Sequence, residues 1–175
     1  MSVRRICTHG GAMLSFVVLA VIVLLTTHAA PAGNASPGNA CDLLALKDVQ
    51  GVLGSGFTPR PDVPLTGQFP TMSNCAYGKG GDNAVVVGLQ RTIYDSVQYL
   101  KMEQEGIKQQ GGAVTPVGGL GEGAFYLLDP GHKPPVFQLH FGKGTREVIL
   151  SVLTGGKPDI EAAQKLAKIA YSRLK

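Results

Sequence analysis

The stretch "PVFQLHFGKGTREVILSVLT" at 135–154 decides the fold. Two runs rich in β-branched and aromatic residues flank a Gly-Lys-Gly turn, the pattern of a β-hairpin. If Gly142 and Thr145 bracket a two-residue turn, Phe137 faces Leu150 and Leu139 faces Val148, so the apolar side chains gather on one face. A one-residue slip would scatter them, and the alternation therefore fixes which residues share a face. On the opposite face the same register sets His140 against Glu147, Gln138 against Ile149 and Val136 against Ser151.

Working outward from the hairpin, "AFYLLD" (124–129) reads as a preceding strand, and "NCAYGKGGDNAVVVGLQR" (74–91) as two strands about a Gly-Gly-Asp-Asn turn. Between them, "YDSVQYLKMEQEGIKQQ" (94–110) keeps a 3.6-residue period through Ile93, Val97, Leu100 and Ile107, with Gln98, Lys101, Glu105 and Lys108 opposite. Gly111 and Gly112 stop it. The segment "LALKDVQGVLG" (44–54) predicts a short helix ending at Gly54. The last helix is expected over 157–175, with Pro158 in its first turn and a stripe of Ile160, Ala163, Ala167, Ala170, Tyr171 and Leu174. Residues 55–73 hold four prolines and two glycines and read as an extended loop with one edge strand near Phe57. The order is α-β-β-β-α-β-β-β-α with short connections, which predicts an α+β domain: an antiparallel sheet flanked by helices.

The start of the chain belongs to targeting. Arg4 and Arg5 precede the apolar run "MLSFVVLAVIVLL" (13–25), and Ala30-Pro31-Ala32 supplies a small-residue cleavage site, the pattern of a signal peptide over 1–32. The rival is an uncleaved anchor, because the run approaches the roughly 20 residues that span a bilayer. Both place the rest outside the cytoplasm, secreted or periplasmic, with membrane contact only through the leader if it stays. Residues 33–40 read as a flexible tether and 41–175 as a single domain. The formal net charge of +4 includes the two leader arginines. No dense basic cluster remains and aromatics are few, so nucleic acid is not an expected partner.

Cys7 lies in the leader, which leaves Cys41 and Cys75. A lipid-anchored cysteine directly follows the apolar run behind a Leu-x-small-small box, whereas Cys41 lies 16 residues beyond Leu25 behind "GNA". A reactive thiol would need a CxxC motif or a neighbouring histidine. Paired cysteines in an oxidising compartment bridge, and Cys41–Cys75 is the expected disulfide.

Catalytic motifs are sparse. "VGGLGEGAFY" (117–126) carries Gly119-x-Gly121-x-x-Ala124, but Pro116 precedes it and a strand-like run follows, whereas a dinucleotide fingerprint needs a strand before and a helix after. A multi-glycine turn is the expectation, and no cofactor is. Gly54-Ser55-Gly56 is no nucleophile elbow. His132 and His140 are eight apart without a carboxylate at ligand spacing, so no metal ligands and no catalytic residues are assigned. The remaining candidates are His140, Glu147 and Gln138. They would anchor a ligand if their sheet face is open, and serve as an ordinary cross-strand polar group if it is covered.

Cys41-Asp-Leu-Leu before a short helix, "NCAY" at 74–77, "GLGEGAFY" at 119–126, a strand pair and a closing Ala-rich helix together resemble the DUF3558-like small exported bacterial proteins of unknown function. The likeness covers about residues 41–175. It implies a Mog1/PsbP-like sandwich and carries no catalytic residues. Glu122 stands where that family has an aspartate, and the lipobox is missing. The expected function is a non-catalytic binding or envelope-accessory domain, its partner an envelope protein or small ligand. The alternative is an exported hydrolase-like enzyme using His140 and Glu147.

Overall fold

The computed structural model describes residues 38–60, 72–129 and 136–175. The leader, most of the proline-rich loop and His132 fall outside the described residues. Asn39 caps a short helix α1 (Ala40–Leu43) by accepting from the Cys41 N–H. Helix formation thus begins within the stretch read as tether, and Ala40 is buried. Helix α2 (Leu46–Leu53) follows and ends at Gly54, whose φ of 86° only glycine holds cheaply.

The strands are β1 (Thr58–Pro59), β2 (Ser73–Lys79), β3 (Asn83–Arg91), β4 (Ala113–Pro116), β5 (Phe125–Asp129), β6 (Val136–Lys143), β7 (Arg146–Thr154) and β8 (Lys157–Pro158). They form one sheet of order β1-β2-β3-β7-β6-β5-β4, with β8 added on β7. Every pairing is antiparallel. Helix α3 (Ser96–Gln109) joins β3 to β4, and α4 (Ile160–Arg173) closes the chain. The α+β class expected from the sequence is what the chain adopts. The expected element order lacked three short pieces: α1, β4 and β8.

Helices cover both faces. Phe137, Leu139 and Phe141 of β6, Val148, Leu150 and Val152 of β7, and Val85, Val87 and Leu89 of β3 form one apolar face. Ala163, Leu166, Ala167 and Ala170 of α4 pack on it, joined by Leu43, Leu44 and Val49. The alanine-rich stripe lets α4 lie close to the sheet, so bulk from the strands fills the layer. Ile160, expected in that stripe, is 47% exposed, and Leu166 takes the buried place. The helix starts later than expected because Asp159 caps it, accepting from the Ala162 N–H at 3.0 Å, while Lys157 and Pro158 pair with β7.

At its other end, Arg173 grips Asp48 with two nitrogens, at 2.5 and 3.0 Å, and donates to the Leu43 carbonyl. The guanidinium beside it holds the Asp48 carboxyl below the usual range. Cys41 and Cys75 form the expected disulfide, with Cα atoms 5.2 Å apart, tying α1 to β2. Among the described residues no helix is long and apolar enough to cross a membrane.

The second face meets α3. The β6–β7 hairpin closes with Lys143 opposite Arg146 and Leu139 opposite Leu150, a register two residues away from the expected one. An even shift keeps every side chain on its expected face, so the apolar face forms anyway. The turn centres on Gly144 and Thr145, with Gly144 at φ 59°. Gly142 has a different task. A Cβ there would come within 2.6 Å of both the Arg146 carbonyl oxygen and the Ser96 Cβ, so its absence lets the start of α3 seat against the hairpin. The Ser96 N–H donates to the Gly144 carbonyl at 2.6 Å, and the Thr92 N–H to that of Thr145 at 2.9 Å. Gly142→Ala is therefore expected to cost about 1–3 kcal/mol by overpacking, read as a lowered urea midpoint at unchanged slope.

Candidate functional site

His140 stands near the middle of β6 on the face that α3 covers, and it is 2% exposed. Of the two alternatives for this face, open or covered, the imidazole is covered, and the helix over it is α3 rather than the closing helix. Each neighbouring strand contributes by register. Phe125 of β5 lies directly opposite His140, and the rings stack with centroids 4.7 Å apart and planes 11° from parallel. Glu147 of β7 is diagonal rather than directly opposite, because Ile149 holds that place. The diagonal is within reach of long side chains, and Glu147 Oε1 lies 2.9 Å from His140 Nδ1. Gln90 of β3 pairs directly with Glu147 and donates its side-chain N–H to Oε2. Two positions along β6 from the imidazole, Gln138 places Oε1 3.2 Å from His140 Nε2.

From above, α3 adds Glu103, whose Oε2 sits 3.1 Å from His140 Nδ1. The imidazole thus faces acceptors at both ring nitrogens, and Nδ1 faces two carboxylates with a single proton to share. That proton serves Glu147; Glu103 Oε2 is within ion-pair distance but has no hydrogen-bond partner, although the atom is buried. Glu103 as a side chain is 26% exposed and Glu147 is fully buried.

Burial alone would lower the His140 pKa. The close approach of Glu103 and Glu147 overcomes it and raises the pKa to about 9. Burial pushes the Glu147 carboxyl up. Burial also acts to raise Glu103, but its contacts with His140 outweigh this and hold it below the ordinary value. The resulting imidazolium rests on the Phe125 ring face, a favourable place for a cation.

The sign of the pH dependence follows. An unfolded histidine loses its proton near 6.5, whereas the folded one holds it to about 9. The His140 contribution is complete below pH 6.5 and disappears as pH rises through 9. Stability is expected to fall across that window by on the order of 3 kcal/mol. Urea denaturation of chelator-treated protein at constant ionic strength measures this, and His140→Gln should flatten the profile.

The structure brings His140, Glu147 and Gln138 together, as the hairpin suggested. Glu103, Gln90 and Phe125 were not foreseen. One nitrogen of His140 and one oxygen from each of Glu103 and Glu147 lie within 4.8 Å of one another, a set able to hold a metal ion. The glycine turn before β5 has positive φ at Gly119, Gly121 and Gly123 and feeds a strand, as the sequence suggested. Separately, a cleft of about 440 Å³ opens between the C-terminal end of α3 and the β4–β5 edge, lined by Ile107, Ala113, Leu127 and Leu128 among others. Leu128 is 45% exposed.

Comparison with known protein families, curated proteins and solved structures finds no match for this chain.

Proposed function

We propose that residues 41–175 form an exported, non-catalytic domain that binds an envelope protein or small ligand, akin to the DUF3558-like proteins of Mog1/PsbP-like fold that its sequence resembles. The observation that carries the non-catalytic half is the closure of His140. A general base must come within about 3 Å of the proton it removes, and this imidazole is 2% exposed with both nitrogens engaged. Among the described residues no serine, threonine or cysteine side chain hydrogen-bonds to His140 or Glu147, so the hydrolase alternative has no nucleophile beside its base. Export is supported by the disulfide, which persists in oxidising compartments. Contact with a partner is assigned to the α3–β4–β5 cleft, where apolar side chains reach the surface.

Native mass spectrometry of protein purified from its own compartment tests the reading. A co-purifying mass is expected with the parent chain and is expected to be lost in Leu128→Asp. Ester or amide turnover that disappears in His140→Gln would overturn it. N-terminal sequencing of the same sample is expected to find cleavage near Ala32 and an unmodified Cys41.

A further inference from the structure

We propose that Glu103, His140 and Glu147 form a binding site for one divalent transition-metal cation of the zinc type, whether or not the domain is catalytic. The three ligands come from three elements: α3, β6 and β7. Ligand atoms about 2.1 Å from a common ion lie between about 3 and 3.5 Å apart at right-angle or tetrahedral geometry. His140 Nδ1 is 2.9 Å from the Glu147 oxygen and 3.1 Å from the Glu103 oxygen, and all three fall within 4.8 Å.

Hydrogen bonding alone leaves this arrangement incomplete. The Nδ1 contact is made with Glu147, and the buried Glu103 Oε2 is without a hydrogen-bond partner. A cation at the convergence point would engage the atom that the proton leaves over.

The surroundings are those of a ligand set already held in position. A metal-bound histidine donates its second ring N–H to an oxygen, which fixes its tautomer and orientation; here Nε2 meets Gln138 Oε1 at 3.2 Å. The Glu147 carboxylate is steadied by the Gln90 amide on its other oxygen, and the ring itself by stacking on Phe125. Two carboxyl groups meet one imidazole in a largely desolvated space, and a dication would take the place of the protons that now hold the three together. Access runs past Glu103, the one partly exposed member. One imidazole with two carboxylates suits zinc, whereas magnesium and calcium prefer all-oxygen sets.

Calorimetric titration of chelator-treated protein, purified from its own compartment, with Zn2+ and in parallel with Mg2+ tests the site. One Zn2+ per chain is expected, and no saturable heat from Mg2+. Glu103→Gln should weaken Zn2+ by more than roughly tenfold, and Gln138→Leu by roughly 10–100-fold. His132, and His9 and His28 in any chain that keeps its leader, also offer imidazoles, so the variants and not uptake alone decide. Zn2+ should raise the thermal midpoint of the parent but not of Glu103→Gln, which alters a partly exposed helix residue and spares the core. Absence of saturable Zn2+ uptake, or uptake equal in parent and Glu103→Gln, overturns the proposal and leaves the cluster as a protonated structural group.

Discussion

Replacing Glu147 with alanine is expected to cost the fold about 3–5 kcal/mol, the usual penalty for leaving a buried ionic partner uncompensated. Glu147 is fully buried between the Gln90 amide and the His140 imidazole. Its removal strands both donors and opens a cavity beneath α3. A domain of this size has roughly 5–15 kcal/mol in total, so the variant should approach the edge of folding. The mechanism predicts strong coupling. Once His140 is alanine, Glu147 has lost its main partner, so the double variant should fall short of the two single costs by about 0.5–3 kcal/mol. Urea denaturation of the four proteins in the cycle measures this. Additive losses would show that the two side chains do not act as a unit.

Opening the Cys41–Cys75 bridge is expected to cost about 3–4 kcal/mol, the entropy released to an unfolded chain whose closed loop spans 34 positions. The bridge holds α1 on β2, and α1 supplies Ala40 and Leu43 to the core beneath α4. Two measurements should agree: the shift in urea midpoint with a reducing agent, and the shift in Cys41→Ser, Cys75→Ser double variants without it. A reducing agent should not change the double variant further. An unchanged midpoint in reduced parent protein would remove the bridge as a source of stability.

The sequence made some of this architecture readable and hid the rest for physical reasons. The faces of the β6–β7 hairpin were legible because apolar residues alternate over the whole stretch. The register was not, since a shift of two preserves the alternation. Only the turn could decide it, and "GKGT" offers two glycines for two different jobs. Gly144 makes the turn, while Gly142 leaves room for Ser96. Neither job is visible without α3 in place. Glu103 was missed because it lies among Lys101, Glu105 and Lys108, which read as a solvated face. Its position says otherwise, three residues after Leu100 and four before Ile107, in the gap of the inward stripe. A charge in that gap was the available signal. Ile93 erred the other way. It continues the period on paper, but Asp95 caps the helix by accepting from the Val97 N–H, and Ile93 is left 87% exposed.

The two ends of the sheet have a consequence for the protein at high concentration. An open sheet can recruit a neighbour's strand wherever its outermost ladder presents unpaired N–H groups. Here β1 is only two residues long and one of them is Pro59. On β4, the Val117 N–H donates inward to the Ala124 carbonyl, and alternation then turns positions 112, 114 and 116 outward. Gly112 gives its N–H back to the Ile107 carbonyl, and Pro116 has none, so Val114 alone offers a donor on that margin. A foreign strand arriving there finds one rung where it needs several. The same prolines and tight turn that end the sheet also discourage chain-to-chain fibre growth.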